Sequence, residues 1–456
     1  MTVSRWIGTA ALTALVAATQ LSAQVAPAPT PAPAERPQTA PPASGTTALQ
    51  GLPGAQILPT TQALFDGYVR DRKMPGIVGA FGLGDLPTVF VSAGTVSTDP
   101  GAQPAGPDSL WRVYSMTKPI TGMAAMLLVE EGKLSLDDPL SKYFPGFARM
   151  KVLTSPDTSL ETRPARAPIT IRELMTHSSG IGYQINAQGP LLKEYERLGL
   201  VPFSANAQTE AVARRTRPAS LIAFAERVAQ APLVAEPGTT WHYSMGLDVL
   251  AAVIEKVSGE KFERFVHARI LDPLGMTSTD FQVAPGNVAR FATNYAFAGD
   301  QLIPLDPAAR SVFLQPPSFP YGGAGLVASA RDYDRFLHML QDAGTLDGVR
   351  IMRPETARLA MSNLLPPGVT YKNKEGVAQG FGAGGVVYLA DEAGGASRGS
   401  YGWGGAAGTV AIVDPARRFR GTIMVNYFPG ERYPLAKETF TALAQDAARL
   451  HPGMPR

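Results

Sequence analysis

The 456-residue sequence has no cysteine. Disulfides, thiolate catalysis, cysteine-ligated metals and lipid attachment through a lipobox are thereby excluded together. Histidine is scarce: the five residues form neither HExxH nor a His-x-x-x-His pair, so no metal and no cofactor is expected. Charge is sparse as well, 41 basic against 38 acidic residues, a net +3 with no basic stripe able to follow a nucleic-acid backbone. Nucleic acid is not an expected partner. Beyond the first residues no apolar run is long enough to cross a bilayer.

What is present starts with MTVSRWIGTAALTALVAATQLSA, one positive side chain (Arg5) ahead of a short apolar stretch ending in small residues. Residues 1–23 read as a secretory signal peptide cut after Ala23; the rival reading, a single-pass anchor, is opposed by Thr13, Thr19 and Gln20, which break the run. The mature chain is expected in the periplasm or secreted, with no stable membrane span. Residues 24–50 follow as a Pro/Ala-rich linker, which cannot bury enough apolar surface to fold.

Periodicity divides the remainder. TTQALFDGYVRDRK has helical spacing of Leu64, Tyr68 and Val69, and GIVGAFGLG and TVFVSAGTV read as two strands. The far end mirrors this: GTVAIVDPARRFRGTIMVNYF is strand, turn, strand, and PLAKETFTALAQDAARL is an amphipathic helix. The patterns between them are mostly helical. The expected architecture is α/β: residues 51–112 and 320–449 build one antiparallel sheet flanked by helices, 113–319 form an inserted, mostly helical domain, and 450–456 are a tail. Sites tend to lie between such halves.

Chemistry is concentrated in WRVYSMTKPITGMAAMLLVEEGKL. If a helix starts at Ser115, Lys118 lies one turn away on the same face, and Pro119 is tolerable in the first turn. No charge occurs from Pro119 to Val129, so the helix is expected to be surrounded by protein, with the lysine stem buried. A desolvated lysine can take the proton of a hydroxyl one turn away and make it a nucleophile. Ser-x-x-Lys is also a common accident, in which the serine caps a helix and the lysine is solvated.

Other stretches decide between these readings. YSMTK, then LMTHSSGI, then PGTTWHYSMGLDVLAAVIEKVSG, then YGWGGAAGTVAIVDP, in this order and spacing, resemble the serine β-lactamase and penicillin-binding protein superfamily, closest to class C β-lactamases and the related family VIII carboxylesterases. The resemblance spans about Leu64 to Tyr427. It implies a β-lactamase/transpeptidase-like fold, Ser115 as the acylated nucleophile, Lys118 as its proton acceptor and Tyr243 as the catalytic tyrosine, with the Ser115 and Ala406 amides as the oxyanion hole. It also implies that Trp403, Gly404, Gly405 and Met245 line the substrate.

Two departures from the β-lactamase pattern are informative. Met245 replaces the asparagine of Tyr-x-Asn, and Trp403-Gly404-Gly405 stands in place of Lys-Thr-Gly. A charge-assisted contact to a substrate carboxylate contributes roughly 1.5–3 kcal/mol, which this chain forgoes. An indole instead offers flat apolar area. The expectation is an exported serine hydrolase of carboxylic esters, with a small-molecule ester as its partner and weak β-lactam hydrolysis at most. The competing readings are a β-lactamase or D-Ala-D-Ala peptidase, an acyltransferase, and a non-catalytic wall sensor.

Three further candidates have weaker grounds. Gly395-Ala396-Ser397-Arg398-Gly399 matches a Gly-x-Ser-x-Gly elbow, but only His451 follows it, so Ser397 is read as a rim residue and Arg398 as a cation able to meet anionic substrates. His177 is read as packing or capping, and His242 as a neighbour able to tune Tyr243.

Overall fold

The computed structural model describes residues 53–392 and 395–450; the expected signal peptide, the linker and all of the tail but Leu450 lie outside them. The main sheet has eight strands among these residues: β1 (Gly76–Leu83), β2 (Val89–Gly94), β3 (Tyr371–Lys372), β4 (Ala378–Phe381), β5 (Val386–Val387), β6 (Tyr401–Gly404), β7 (Val410–Asp414) and β8 (Phe419–Met424). Their order is β3-β4-β5-β6-β7-β8-β1-β2, antiparallel throughout. Both ends of the chain therefore meet in one sheet, with Ala80 of β1 paired to Thr422 on one side and Phe90 on the other.

Alternation along β1 sends its side chains into two cores. Ile77 and Phe81 pack with Phe65 and Tyr68 of helix α1 (Pro59–Arg70). Val78 and Ala80 join the larger core that holds Tyr333 and Phe336. Phe65, fully buried, is the centre of the α1 face, whereas the expected Leu64 and Val69 flank it half-buried.

The nucleophile segment enters helix α2 (Thr117–Glu130), which is buried at every residue from Thr117 to Leu128. Such a helix draws its stability from packing on all sides, and the uncharged run from Pro119 to Val129 is the direct cause. It docks by close backbone approach: a Cβ on Gly122 would stand 2.1 Å from the Ala383 carbonyl oxygen, and one on Gly384 2.3 Å from that of Lys118. In the helical part α4 (Gly246–Ser258) packs on α2 and α3 (Leu221–Val228) packs on α4, while α5 (Ala330–Gln341) covers one face of the sheet and α6 (Leu435–Leu450) pairs with α1.

The span 113–319 also contains strand, which departs from its helical expectation. Asn294–Ala298 and Gln301–Asp306 form a hairpin extended in parallel by Tyr427–Phe428. Tyr295 and Phe297 of that hairpin share the core of Phe65 and Ile77, so by packing it belongs with the sheet. Among the described residues no helix is long and apolar enough to cross a membrane.

Candidate active site

Ser115 lies in a 3-10 turn, Tyr114–Met116, directly ahead of α2. The turn is strained: Tyr114 has φ +41°, a conformation in which a bulky side chain is an outlier. Its ring is held between Phe428 (5.5 Å) and Phe313 (6.3 Å), and its hydroxyl accepts a bond from Asn294 Nδ2 at 3.1 Å. The strain sits one residue before the nucleophile, where it sets the direction of the Ser115 side chain.

Three side chains converge. Ser115 Oγ is 2.7 Å from Tyr243 Oη, and Lys118 Nζ donates to the same Oγ at 3.2 Å. Lys118 is fully buried and donates a second bond to the Gly323 carbonyl at 2.7 Å, its ammonium 4.7 Å from the centre of the Tyr243 ring. The helix places Lys118 one turn after the serine, and tertiary packing brings Tyr243 to both. Ser115 itself is half-buried, open to a substrate. A hydroxyl beside a neutral amine can lose its proton to that amine as it attacks a carbonyl, directly or through the phenol, which takes the serine proton only as it passes its own to the amine, and the same path run backwards returns a proton to a leaving alkoxide.

The oxyanion side is built from the end of β6. A Cβ on Gly405 would stand 2.4 Å from the Val113 carbonyl oxygen, so glycine permits this strand to close on the turn that carries Ser115. Next to it Ala406 is exposed, and its N–H makes no backbone hydrogen bond among the described residues, which leaves the donor available.

Trp403 is half-buried, with ring centres 5.9 Å from Tyr243, 5.1 Å from Phe381 and 6.0 Å from Tyr371; Trp241 stacks on Tyr243 at 6.1 Å and meets Tyr371 at 4.4 Å. An aromatic wall thus adjoins the nucleophile. Met245 corrects the expectation: it is 1% exposed, packed in the main core at the start of α4, with its N–H bonded to the Gly182 carbonyl. Two residues beyond Tyr243 the chain has turned inward, so Met245 offers a substrate no surface.

Ser397 is likewise settled by its contacts. Its hydroxyl donates to Asp414 Oδ2 at 2.5 Å and its N–H to the same oxygen at 3.1 Å, a buried clamp that no histidine joins among the described residues. Arg398 is exposed on this loop, its own N–H bonded to Asp391. His242 is half-buried, and its N–H donates to the His177 carbonyl at 2.8 Å.

One residue escaped the sequence reading. Asp248, on α4, is fully buried; its Oδ1 accepts the Gly323 N–H at 2.9 Å and its Oδ2 has no partner among the described residues. Gly323, the residue whose carbonyl receives Lys118, is glycine because a Cβ there would lie 2.7 Å from that Oδ2. Burial pushes the Asp248 carboxyl up to about 7, against the pull of Lys118. A lone acid in an apolar helix gives no signal in sequence, since an exposed face would explain it equally well.

The Beta-lactamase family model matches residues 61–446. The chain is 30% identical to Esterase EstB of Burkholderia gladioli over 64% of this chain and 71% of that one. It is 28% identical to Monacolin J acid methylbutanoyltransferase of Aspergillus terreus over 78% and 87%. The solved structure of EstCE1, described as a hydrolase with promiscuous acyltransferase activity, superposes with a TM-score of 0.68 at 24% identity, covering 86% of this chain and 99% of that one. The chain belongs to the beta-lactamase family and is a serine hydrolase or acyltransferase of that superfamily.

Proposed function

We propose that the protein is an exported esterase that cleaves neutral carboxylic esters of small molecules through an acyl-enzyme on Ser115. The observation that supports this best is the conjunction at one serine: Tyr243 and Lys118 both bond its Oγ, while the place of a carboxylate-gripping cation is taken by Trp403 in an aromatic wall. Lys118 and Tyr243 move the protons, and the amides of Ser115 and Ala406 receive the oxyanion. The relative named an esterase is consistent with this chemistry. Purified mature protein assayed on p-nitrophenyl butyrate and on nitrocefin tests it, with Ser115→Ala as control. Ester turnover well above nitrocefin turnover, and abolished in the variant, is the expected outcome; the opposite ratio would make the protein a β-lactamase with an unusual third motif.

A second reading, transfer of the acyl group to an alcohol in place of water, is favoured by the similarity to a methylbutanoyltransferase. Adding a primary alcohol to the same ester assay separates the two. A new ester product formed at the expense of free acid would identify the transferase.

A further inference from the structure

His177 carries two features unfavourable to the fold. Its φ of +59° lies in the left-handed region, and its buried Nε2–H has no partner among the described residues. The side-chain and carbonyl hydrogen bonds the residue does make all go to one tripeptide, while its ring also meets Phe381 at 5.2 Å and Trp241 at 5.7 Å. Its carbonyl accepts the His242 N–H at 2.8 Å, and its Nδ1 accepts the Ser244 N–H at 3.2 Å. The Ser244 hydroxyl, which itself accepts the Gly246 N–H at 3.1 Å, adds a bond to the same nitrogen at 2.9 Å. Between these two anchors the imidazole packs on the Tyr243 ring, centre to centre 4.7 Å.

We propose that His177 is a positioning residue for the ester reaction: as the Nε2–H tautomer it grips the residues on either side of Tyr243 and fixes the phenol on Ser115 Oγ. The inference rests on the role given to Tyr243 above and extends it. The Nε2–H tautomer is the one in which a bare Nδ1 accepts the Ser244 N–H. Burial first, then the charge of Lys118, hold the imidazole well below the usual histidine range, so the grip persists across neutral pH. The left-handed backbone is what lets carbonyl and ring reach the same tripeptide, and histidine is among the few residues that tolerate it.

The test compares hydrolysis of p-nitrophenyl butyrate by the full chain as wild type, H177N, H177Q, H177F, Y243F and H177Q/Y243F. Asparagine places a carbonyl oxygen near the position of Nδ1 and accepts left-handed backbone; glutamine carries its oxygen one carbon farther out. H177N is expected to keep kcat within about threefold, while folded H177Q and H177F lose about 100-fold in kcat at nearly constant KM, the low end of a general acid–base contribution. In the Y243F background H177Q should cost less than about twofold, because its effect travels through the missing phenol. Equal activity of H177Q and H177N, or the same loss with and without Tyr243 Oη, would overturn the proposal. If H177F does not fold, the Asn and Gln variants still decide. Full activity of Y243F would overturn the role of Tyr243 along with it, whereas loss in Y243F with no loss in H177Q would overturn the positioning role alone.

Discussion

Asp248 is a buried acid whose ionisation the fold resists, and this has a measurable sign. Its proton is held up to about 7 in the folded chain against 3.8 without such burial. The folded state therefore binds the proton more tightly, and stability is lost as pH rises from 3.8 through about 7, on the order of 4 kcal/mol for about three units. Asp248→Asn keeps the acceptor for the Gly323 N–H and removes the charge. Its melting temperature should exceed that of wild type by more at pH 8 than at pH 5; an equal difference at both would sink this account. Trp403 yields a prediction of another kind, since the proposed function puts it beside the substrate. Trp403→Ala should raise KM for an aromatic or medium-chain ester about tenfold, with kcat nearly unchanged, as expected for lost apolar contact area. Of these residues, Ser115, Lys118, Tyr243 and Trp403 were legible in the sequence because their motifs have fixed order and spacing. Asp248 and the grip of His177 were not, because each acts through a tertiary neighbour, Gly323 in one case and Ser244 in the other.

At the scale of elements, α2 is packed on all sides, and on one side the contact is backbone against backbone. Gly384, with φ +78°, lies against the Lys118 carbonyl, and Gly122 against that of Ala383. Gly384→Ala would combine a strained backbone with an atom 2.3 Å from a carbonyl oxygen that must give way. We expect a loss of about 2–3 kcal/mol in denaturant titration and a fall in kcat, because the helix that moves carries Lys118. Unchanged stability would show that the turn, not the helix, yields. The helix itself was readable from its uncharged run. The 294–306 hairpin was hidden, since only packing against β1 and α1 assigns its apolar residues to the sheet.

At the scale of the whole molecule, two carboxylates of α6 tie the ends of the fold: Glu438 accepts the Tyr68 hydroxyl at 2.7 Å, and Asp446 takes three further bonds. Helix α1 has no side-chain cap of its own; Asp446 of α6 accepts the N–H of Thr60 and the N–H and hydroxyl of Thr61, each at 2.9 Å. Burial pushes the carboxyl up, but these bonds outweigh it and hold it below its ordinary value. A depressed pKa contributes stability that is present above the unfolded value and lost as pH falls through the folded one. Asp446→Ala should cost about 1–2 kcal/mol at pH 7, in the range of a lost helix cap, and less in acid. A cost independent of pH would mean that the charge of Asp446 does not carry its contribution.

The pairing of β1 with β8 also governs the order in which the protein can be made. During synthesis Ala80 has its partner Phe90 at once, but waits for Thr422 until nearly the whole chain has left the ribosome. At roughly 5–20 residues per second that interval lasts tens of seconds, with one long edge of β1 open throughout. Helix α1 is uncapped for longer still, until Asp446 emerges. A nascent chain of this topology cannot complete its main sheet before Phe419–Met424 has been made, however early its first hairpin forms.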